Sequence, residues 1–190
     1  ELTYSLVVPI PHPWFPSNLR DSFRIVSQAL LAGLSCLGVP DARMALGPPV
    51  GAARRTRSPS CFASMNHFEI HVRGRKLIGS AQRRKKSAFL QHGSVGITCN
   101  RELENSLFRF ESPALRQENL EELKNHTLSL QELFGVELSR GTVLRAFKEG
   151  FMNSFPARWV PGTLTPEERE KVDSSSIQNS SNERGMILTF

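Results

Sequence analysis

The sequence predicts a protein of both strands and helices, with most strand patterns before Ser112 and mainly helix patterns after it. Apolar and polar side chains alternate between residues 67 and 72, as a half-buried strand requires. The apolar set is Phe68, Ile70 and Val72, and the polar set, expected to face solvent, is His67, Glu69 and His71. From Ser112 onward the pattern changes to helices with leucine and phenylalanine at three- and four-residue spacing.

The N-terminal part predicts a strand, a rigid connection and one long helix. Leu2 to Val8 is apolar and β-prone, and the four prolines between residues 9 and 16 exclude a regular element there. Ser17 is the expected N-cap of an amphipathic helix that ends near Gly38, with Cys36 buried in it. Its apolar stripe is Leu19, Phe23, Val26, Leu30, Leu34 and Leu37. Val39 to Ser60, rich in Pro, Gly and Arg, predicts an irregular loop.

A hairpin is predicted in the middle of the chain. Arg73-Gly74 forms its turn, where Gly74 can adopt a positive φ, and Arg75 to Ala81 return beside the first strand. Gly79-Ser80-Ala81 lacks bulk, so a ligand or another backbone can approach closely there. A further strand begins near Phe89 and is expected to continue through Gly96 to Cys99.

Three further helices follow in the prediction. Ser112-Pro113 is an N-cap with proline at the first helical position, and Gln117 to Phe134 is helical and ended by Gly135. Ser139 to Phe155 and Pro166 to Val172 complete the set. We expect one domain over residues 1–164, beginning inside a longer domain, and a short helix with a disordered tail over 165–190.

Composition narrows the class of protein. No run approaches the roughly 20 apolar residues that span a bilayer, so no membrane association is expected. Three cysteines at irregular spacing disfavour a disulfide framework and predict a reducing, cytoplasmic compartment. The net charge of +6 comes from clusters of basic residues, which either attract acidic partners or form a solvated face. Nucleic-acid binding is disfavoured because no aromatic residues interleave with these clusters.

Cys61 is the strongest catalytic candidate by residue type. It follows a flexible loop beside a basic segment, an environment that lowers a thiol pKa and favours the nucleophilic thiolate. A small buried structural cysteine is the alternative. Either Lys76 or its neighbour Arg75 faces inward, and an inward Lys76 beside the small residues can hold a carbonyl or acyl-phosphate oxygen. The alternative is a surface lysine near a turn.

Two histidine-containing motifs carry weaker predictions. His92-Gly93-Ser94 supplies a base or hydrogen-bond donors, or is only a turn. His67, Glu69 and His71 offer three metal-ligating groups without a fourth, so a solvated strand face is preferred and no metal is predicted.

Four ordered motifs together resemble the biotin/lipoate protein ligase family, and most closely its cysteine-dependent octanoyltransferases of lipoate assembly. The motifs are Ser60-Cys61-Phe62, Phe68-Glu69-Ile70, Gly74 to Gln82 and Leu90 to Ser94, and the opening Glu1 to Ser5 also matches. The resemblance implies an α+β fold, with a mixed sheet plus a smaller sheet flanked by helices, and it implies that residues 1–164 are an acyltransferase or ligase catalytic domain. The family's glycine-rich loop with its nearby histidine is absent from the sequence, and Asp173 to Phe190 does not match the family's pattern.

The resemblance also implies an activity. Octanoate would pass from acyl carrier protein to Cys61 as a thioester, and then to a lysine of a lipoyl domain or of the glycine cleavage H protein. Lys76 would bind the acyl carbonyl without any cofactor. The implied substrate-binding residues are Gly79, Ser80, Ala81, Gln82, His92, Gly93 and Ser94.

Two alternatives remain open at this point. An ATP-dependent lipoate ligase would use Lys76 together with ATP and magnesium, and would not need Cys61. A truncated, non-catalytic module would bind lipoyl domains or carrier protein without turnover.

Overall fold

The computed structural model describes residues 1–45, 47 and 67–174. Their strands are β1 (Leu2–Pro9), β2 (Arg43–Met44), β3 (Ile70–Val72), β4 (Arg75–Arg84) and β5 (Ala88–Val95). Their helices are α1 (Leu19–Cys36), α2 (Arg101–Ser106), α3 (Pro113–His126), α4 (Leu130–Phe134), α5 (Arg140–Ser154) and α6 (Pro166–Ser174).

The strands form one five-stranded sheet in the order β1-β5-β4-β3-β2, and hydrogen-bonded neighbours run antiparallel. A parallel pairing occurs at the isolated bridge between Lys76 and Thr127. The α+β class is confirmed. The smaller second sheet of the expectation is not seen, since all named strands of the described residues belong to this sheet.

One face of the sheet packs against α1 and α5, and we call it the covered face. The core between these layers holds Leu6, Val8 and Phe89 from the sheet, with Leu30 from α1 and Phe147 from α5. The opposite face of β1, β4 and β5 carries exposed positions such as Thr3, Ser5, Ala81 and His92, and we call it the open face.

The predicted hairpin and most helix ends are confirmed. Arg73 and Gly74 have φ values of 50° and 79°, which fits a two-residue turn between antiparallel strands. Ser112 and Ser139 accept hydrogen bonds as N-caps, and Gly135 ends α4 with a φ of 69°. For α1, Ser17 was the wrong cap, because the Asn18 side chain accepts the hydrogen bond from Asp21 N–H.

Several boundaries were wrong because backbone groups find partners elsewhere. The helix expected from Gln117 to Phe134 divides at Thr127, where the chain becomes extended and Leu128 N–H donates to Lys76 O at 2.8 Å. The last strand stops at Val95, since the Gly96 and Ile97 carbonyls accept N–H groups from the start of α4.

The observed burial of two side chains contradicts what the sequence predicted for them. Cys36 is exposed on α1 rather than buried, and Glu69 is buried rather than solvated. Strand β2 lies within the stretch expected to be a loop, and α2 was not predicted. The remaining expectations for residues 46, 48–66 and 175–190 lie outside the described residues. No helix of the described part is long and apolar enough to cross a membrane.

Helices α1 and α5 cross at two glycines. A Cβ atom on Gly150 would overlap the backbone of Gly33, and one on Gly33 would reach Phe147 Cα at 2.9 Å. The two backbones are therefore in direct contact, which brings α5 close enough to complete the core.

We expect Gly150→Ala to destabilise the fold by about 3 kcal/mol, the upper end for overpacking, because the clash is with rigid backbone. Gly141→Ala on the same helix is the control. Its Cβ would meet nothing closer than 3.8 Å, so helix propensity should stabilise it by about 0.5–1 kcal/mol. Urea denaturation of both variants measures the difference, and equal stabilities would contradict the close crossing.

Candidate active site

The predicted substrate-binding residues meet on two neighbouring strands. In the β4–β5 register, Gly79 lies opposite Ser94, Ser80 opposite Gly93 and Ala81 opposite His92. Two motifs separated in sequence therefore form one patch of small side chains. Directly opposed residues share a face of the sheet, so the patch has two sides with different surroundings.

The open face receives Gly79, Ala81, His92 and Ser94, of which Ala81 and His92 are exposed. Because small side chains leave the backbone accessible there, a substrate chain can lie directly on the strands. The covered face receives the remaining predicted residues, which are Ser80, Gln82 and Gly93. These three point toward α1 and α5 and cannot line the same surface as the first four.

Tyr4 occupies the space above the small residues of the covered face. It lies opposite Gly93 in the β1–β5 register, and its hydroxyl is 2.6 Å from Ser80 Oγ. A Cβ atom on Gly93 would be 2.9 Å from the Tyr4 ring. Burial raises the pKa of Tyr4, and hydrogen bonds with Ser80 and Gln91 oppose that shift. On this side the patch is already filled by an aromatic ring.

A polar chain continues from Tyr4 across the covered face. Gln91, fully buried, donates to the Tyr4 hydroxyl at 3.4 Å and accepts from Gln82 at 2.9 Å. Ser22 of α1 donates to Gln82 at 3.1 Å and accepts from Arg84 at 2.7 Å. Each buried polar group in this chain has a partner, so the chain fixes α1 on the sheet. Gln82 is therefore a packing residue of the sheet–helix interface.

A register shift brings Lys76 to the open side. Ile70 lies opposite Ile78, but the next residue, His71, lies opposite Lys76, so Leu77 is an extra residue in β4. Such a bulge breaks the strict alternation of side chains and re-aims the ones beside it. The Lys76 side chain consequently projects on the side of Glu69, opposite to Ile70 and Ile78. This is also the side of Gly79 and its open-face neighbours.

Lys76 forms a buried ion pair with Glu69. Its Nζ lies 2.7 Å from Glu69 Oε1, and the two side chains are 3% and 4% exposed. Of the two interpretations made for Lys76, the inward-facing one is confirmed and the surface lysine is wrong. Glu69, expected on a solvated face with His67 and His71, neutralises this cation instead. A buried charge requires such a partner, because isolated ions are costly to desolvate.

The backbone of Lys76 is held from the side by the α3–α4 junction. Leu128 N–H donates to Lys76 O, and the neighbouring Thr127 carbonyl accepts from Arg75 Nε at 2.9 Å. Arg101 of α2 also donates to the Thr127 carbonyl at 2.9 Å and to its hydroxyl at 2.7 Å. Thr127 thus joins β4, α2 and α3 beside the candidate site. Sequence patterns did not indicate this joint, because its partners are distant along the chain.

Glu132 completes the joint. Its carboxylate receives two hydrogen bonds from Arg101, at 2.9 and 2.7 Å, and one from the Ser129 N–H in a capping box. Hydrogen bonding to Arg101 is the main cause that lowers the pKa of Glu132 to about 2. The same bond raises the pKa of Arg101. A bidentate pair of this kind has a defined geometry, so the junction is well positioned.

Two of the three cysteines, Cys36 and Cys99, lie among the described residues. Cys61, the predicted nucleophile, lies outside the described residues, so its role stays a prediction. Cys99 is half-buried, and burial raises the pKa of its thiol, which disfavours a reactive thiolate. Cys36 is exposed on α1.

We expect Glu132→Gln to lower the free energy of unfolding by about 2 kcal/mol at pH 7, after discounting for a carboxylate that is 35% exposed. The folded-state pKa of about 2 lies below the ordinary value of 4.5. The stabilisation is therefore complete above pH 4.5 and is lost as the pH falls toward 2. Urea denaturation should show that the difference in unfolding free energy between Glu132→Gln and wild type is smaller at pH 3 than at pH 7.

Glu118→Gln is the matched control, since Glu118 is exposed on α3. Its effect should stay within about 0.5 kcal/mol at both pH values. A Glu132→Gln effect that is small or independent of pH would show that the joint does not depend on this carboxylate.

Comparison with curated proteins gives close relatives. The chain is 38% identical over 176 residues to a protein named octanoyltransferase LipM from Kyrpidia tusciae, covering 91% of this chain and 64% of the relative. It is 33% identical over 175 residues to octanoyltransferase LipM from Bacillus subtilis, covering 90% of this chain and 63% of the relative. The chain thus spans slightly less than two thirds of the length of these relatives.

Comparison with solved structures confirms the ligase-like architecture predicted from the sequence. A bipartite lipoate protein ligase from Thermoplasma acidophilum aligns with a TM-score of 0.67 at 16% identity, over 90% of this chain and 58% of that one. A lipoate-protein ligase A bound with ATP aligns with a TM-score of 0.62 at 19% identity, over 90% and 59%. The model of the lipoyl protein ligase A/B catalytic domain matches residues 1–152. The chain therefore belongs to the lipoyl protein ligase A/B catalytic domain family.

Proposed function

We propose that this protein is an octanoyltransferase of lipoate biosynthesis that works through a cysteine thioester. The carrying observation is the buried Lys76 cation at the edge of a patch of small open-face residues. Family membership and relatives named octanoyltransferase LipM support the reaction class. The proposed donor is octanoyl-acyl carrier protein, and the proposed acceptor is a lysine of a lipoyl domain or of the glycine cleavage H protein.

The proposed first step is acylation of Cys61. Its thiolate attacks the carbonyl carbon of the carrier's thioester, and a new C–S bond forms as the bond to the carrier sulfur breaks. The carrier leaves as a thiolate and takes up a proton. In the second step the neutral amine of the acceptor lysine attacks the octanoyl carbonyl, forming an amide while Cys61 leaves and the amine loses a proton. Both steps are acyl transfers that need no cofactor.

Lys76 is proposed to stabilise the oxyanion of both tetrahedral intermediates. A buried cation does this more effectively than one in water, since low dielectric strengthens the attraction. The acyl chain is proposed to lie on the open face along Gly79, Ala81, His92 and Ser94. Ser80, Gln82 and Gly93 support this surface from the covered face.

The charge balance at Lys76 favours a thioester substrate. Glu69 already neutralises the lysine, and an uncharged thioester can bind without displacing it. The carboxylate of free octanoate or lipoate would compete with Glu69 for the same ammonium group. This favours acyl transfer over the ATP-dependent ligase reaction, in which a free acid is activated.

The nucleophile is tested by intact-protein mass spectrometry after incubation with octanoyl-acyl carrier protein. We expect one octanoyl group on the wild-type chain, removable by hydroxylamine, and none on Cys61→Ser. Cys36→Ser is the matched control, because Cys36 is an exposed thiol away from the patch, and it should acylate normally. No adduct on wild type, or equal acylation of Cys61→Ser, would refute the thioester. Transfer of free lipoate in the presence of ATP by Cys61→Ser would instead identify a ligase.

For the oxyanion role, we expect Lys76→Met to lower the rate of transfer about 100-fold, the size typical for loss of one oxyanion donor. Combining it with Glu69→Gln avoids leaving the buried carboxylate without its lysine, so the double variant should fold and remain inactive. Lys148→Met, an exposed lysine on α5, is the control with full activity. A folded, active double variant would exclude Lys76 from the chemistry.

A further inference from the structure

The turn that joins β4 to β5 carries a run of basic residues whose role is not explained by the fold. Arg83, Lys85 and Lys86 are exposed there, and we call these three side chains the hairpin tip. Resting on the octanoyl transfer proposed above, we infer that the hairpin tip is the docking site for the acidic acyl carrier that delivers the octanoyl group on a flexible arm.

The neighbouring Arg84 differs from the hairpin tip, because its guanidinium is held by contacts within the fold. Its guanidinium donates to Ser22 Oγ at 2.7 Å and stacks 5.0 Å from the Phe89 ring centroid on the covered face. None of the three hairpin-tip residues has a carboxylate within ion-pair distance among residues 1–45, 47 and 67–174. Their charges are therefore available to a partner.

Strands β1, β4 and β5 bring no opposing charge to the open face beside the hairpin tip. The exposed open-face residues of β1 and β5 include Thr3, Ser5, Val7 and His92, and strands β1, β4 and β5 contain no Asp or Glu. Three adjacent cations on such a surface produce a positive potential that extends about a Debye length, roughly 8 Å at physiological salt. This potential attracts an acidic protein and orients it over the open face.

Distance along β4 favours the acyl donor over the acceptor. Arg83 follows Lys76 by seven residues, so their Cα atoms are roughly 20 Å apart at about 3.3 Å per residue. An acyl group on a long prosthetic arm can cross this distance over Ala81 and Gly79 while its carrier stays at the tip. A lysine side chain, with only four methylenes, cannot cover it alone.

The experiment compares the triple variant Arg83→Glu, Lys85→Glu, Lys86→Glu with a matched triple on α5, Arg140→Glu, Arg145→Glu, Lys148→Glu. Both triples replace three exposed cations, so they change the formal charge equally. Binding of fluorescently labelled octanoyl-acyl carrier protein and of a lipoyl domain is measured by anisotropy at low and high salt. Octanoyl transfer is followed in parallel with octanoyl-acyl carrier protein and with a small octanoyl thioester as donors.

We expect the hairpin-tip triple to weaken carrier binding at least tenfold and to remove most of its salt dependence, while the α5 triple retains both. Transfer from the small thioester should be unchanged in both triples. Equal weakening in the two triples, no weakening, or no carrier binding by wild type would overturn the inference. Weaker binding of the lipoyl domain alone would assign the hairpin tip to the acceptor protein and would likewise overturn the inference.

These readouts separate docking from chemistry. Salt-dependent carrier binding that only the hairpin-tip triple loses, without transfer from either donor in wild type, would leave the docking inference standing and refute the proposed activity. Transfer from both donors that is unchanged in both triples would support the proposed activity and refute the docking inference.

Discussion

The extra residue in β4 is the constraint on which the candidate site depends. Without it, alternation would point Lys76 to the same side as Ile78, into the core against α1. With Leu77 inserted, two successive apolar side chains are buried, and the cation beside them projects on the other side of the sheet. The junction at Thr127 supports this irregular segment, because Leu128 supplies the hydrogen bond to the Lys76 carbonyl that β5 no longer reaches.

The sequence predicted the elements whose signals are local. Gly135, Ser112 and Arg73-Gly74 identified a helix end, a helix start and a turn, because caps and turns depend on one or a few neighbouring residues. The division of the long helix at Thr127 could not be predicted in this way. It depends on partners in β4 and α2, 51 residues (127 − 76) and 26 residues (127 − 101) away, that no periodicity reveals.

The same limit applies to the site. Residue types and motif order brought Gly79 to Ala81 together with His92 to Ser94, and the β4–β5 register places them side by side. Alternation then divides them between two faces, a consequence of pairing that a list of motif residues does not contain. Tyr4 was missed as the residue that fills the covered side. The adjacent apolar residues Leu77 and Ile78 were the available sign in the sequence, since a regular strand with one solvated face alternates apolar and polar residues.

The buried Lys76–Glu69 pair is better understood as a feature of the site than of stability. Two well-packed apolar side chains of similar volume would often stabilise such a position as well or better, because both ions must be desolvated. The pair keeps a cation in a region of low dielectric with its charge balanced by Glu69. Negative charge that develops on a bound carbonyl oxygen is then attracted to the ammonium without requiring a charged substrate to enter. That is the electrostatic situation that the proposed transfer of an uncharged thioester requires, and under that proposal a lysine and a glutamate are expected where the surrounding strands bury Leu and Ile.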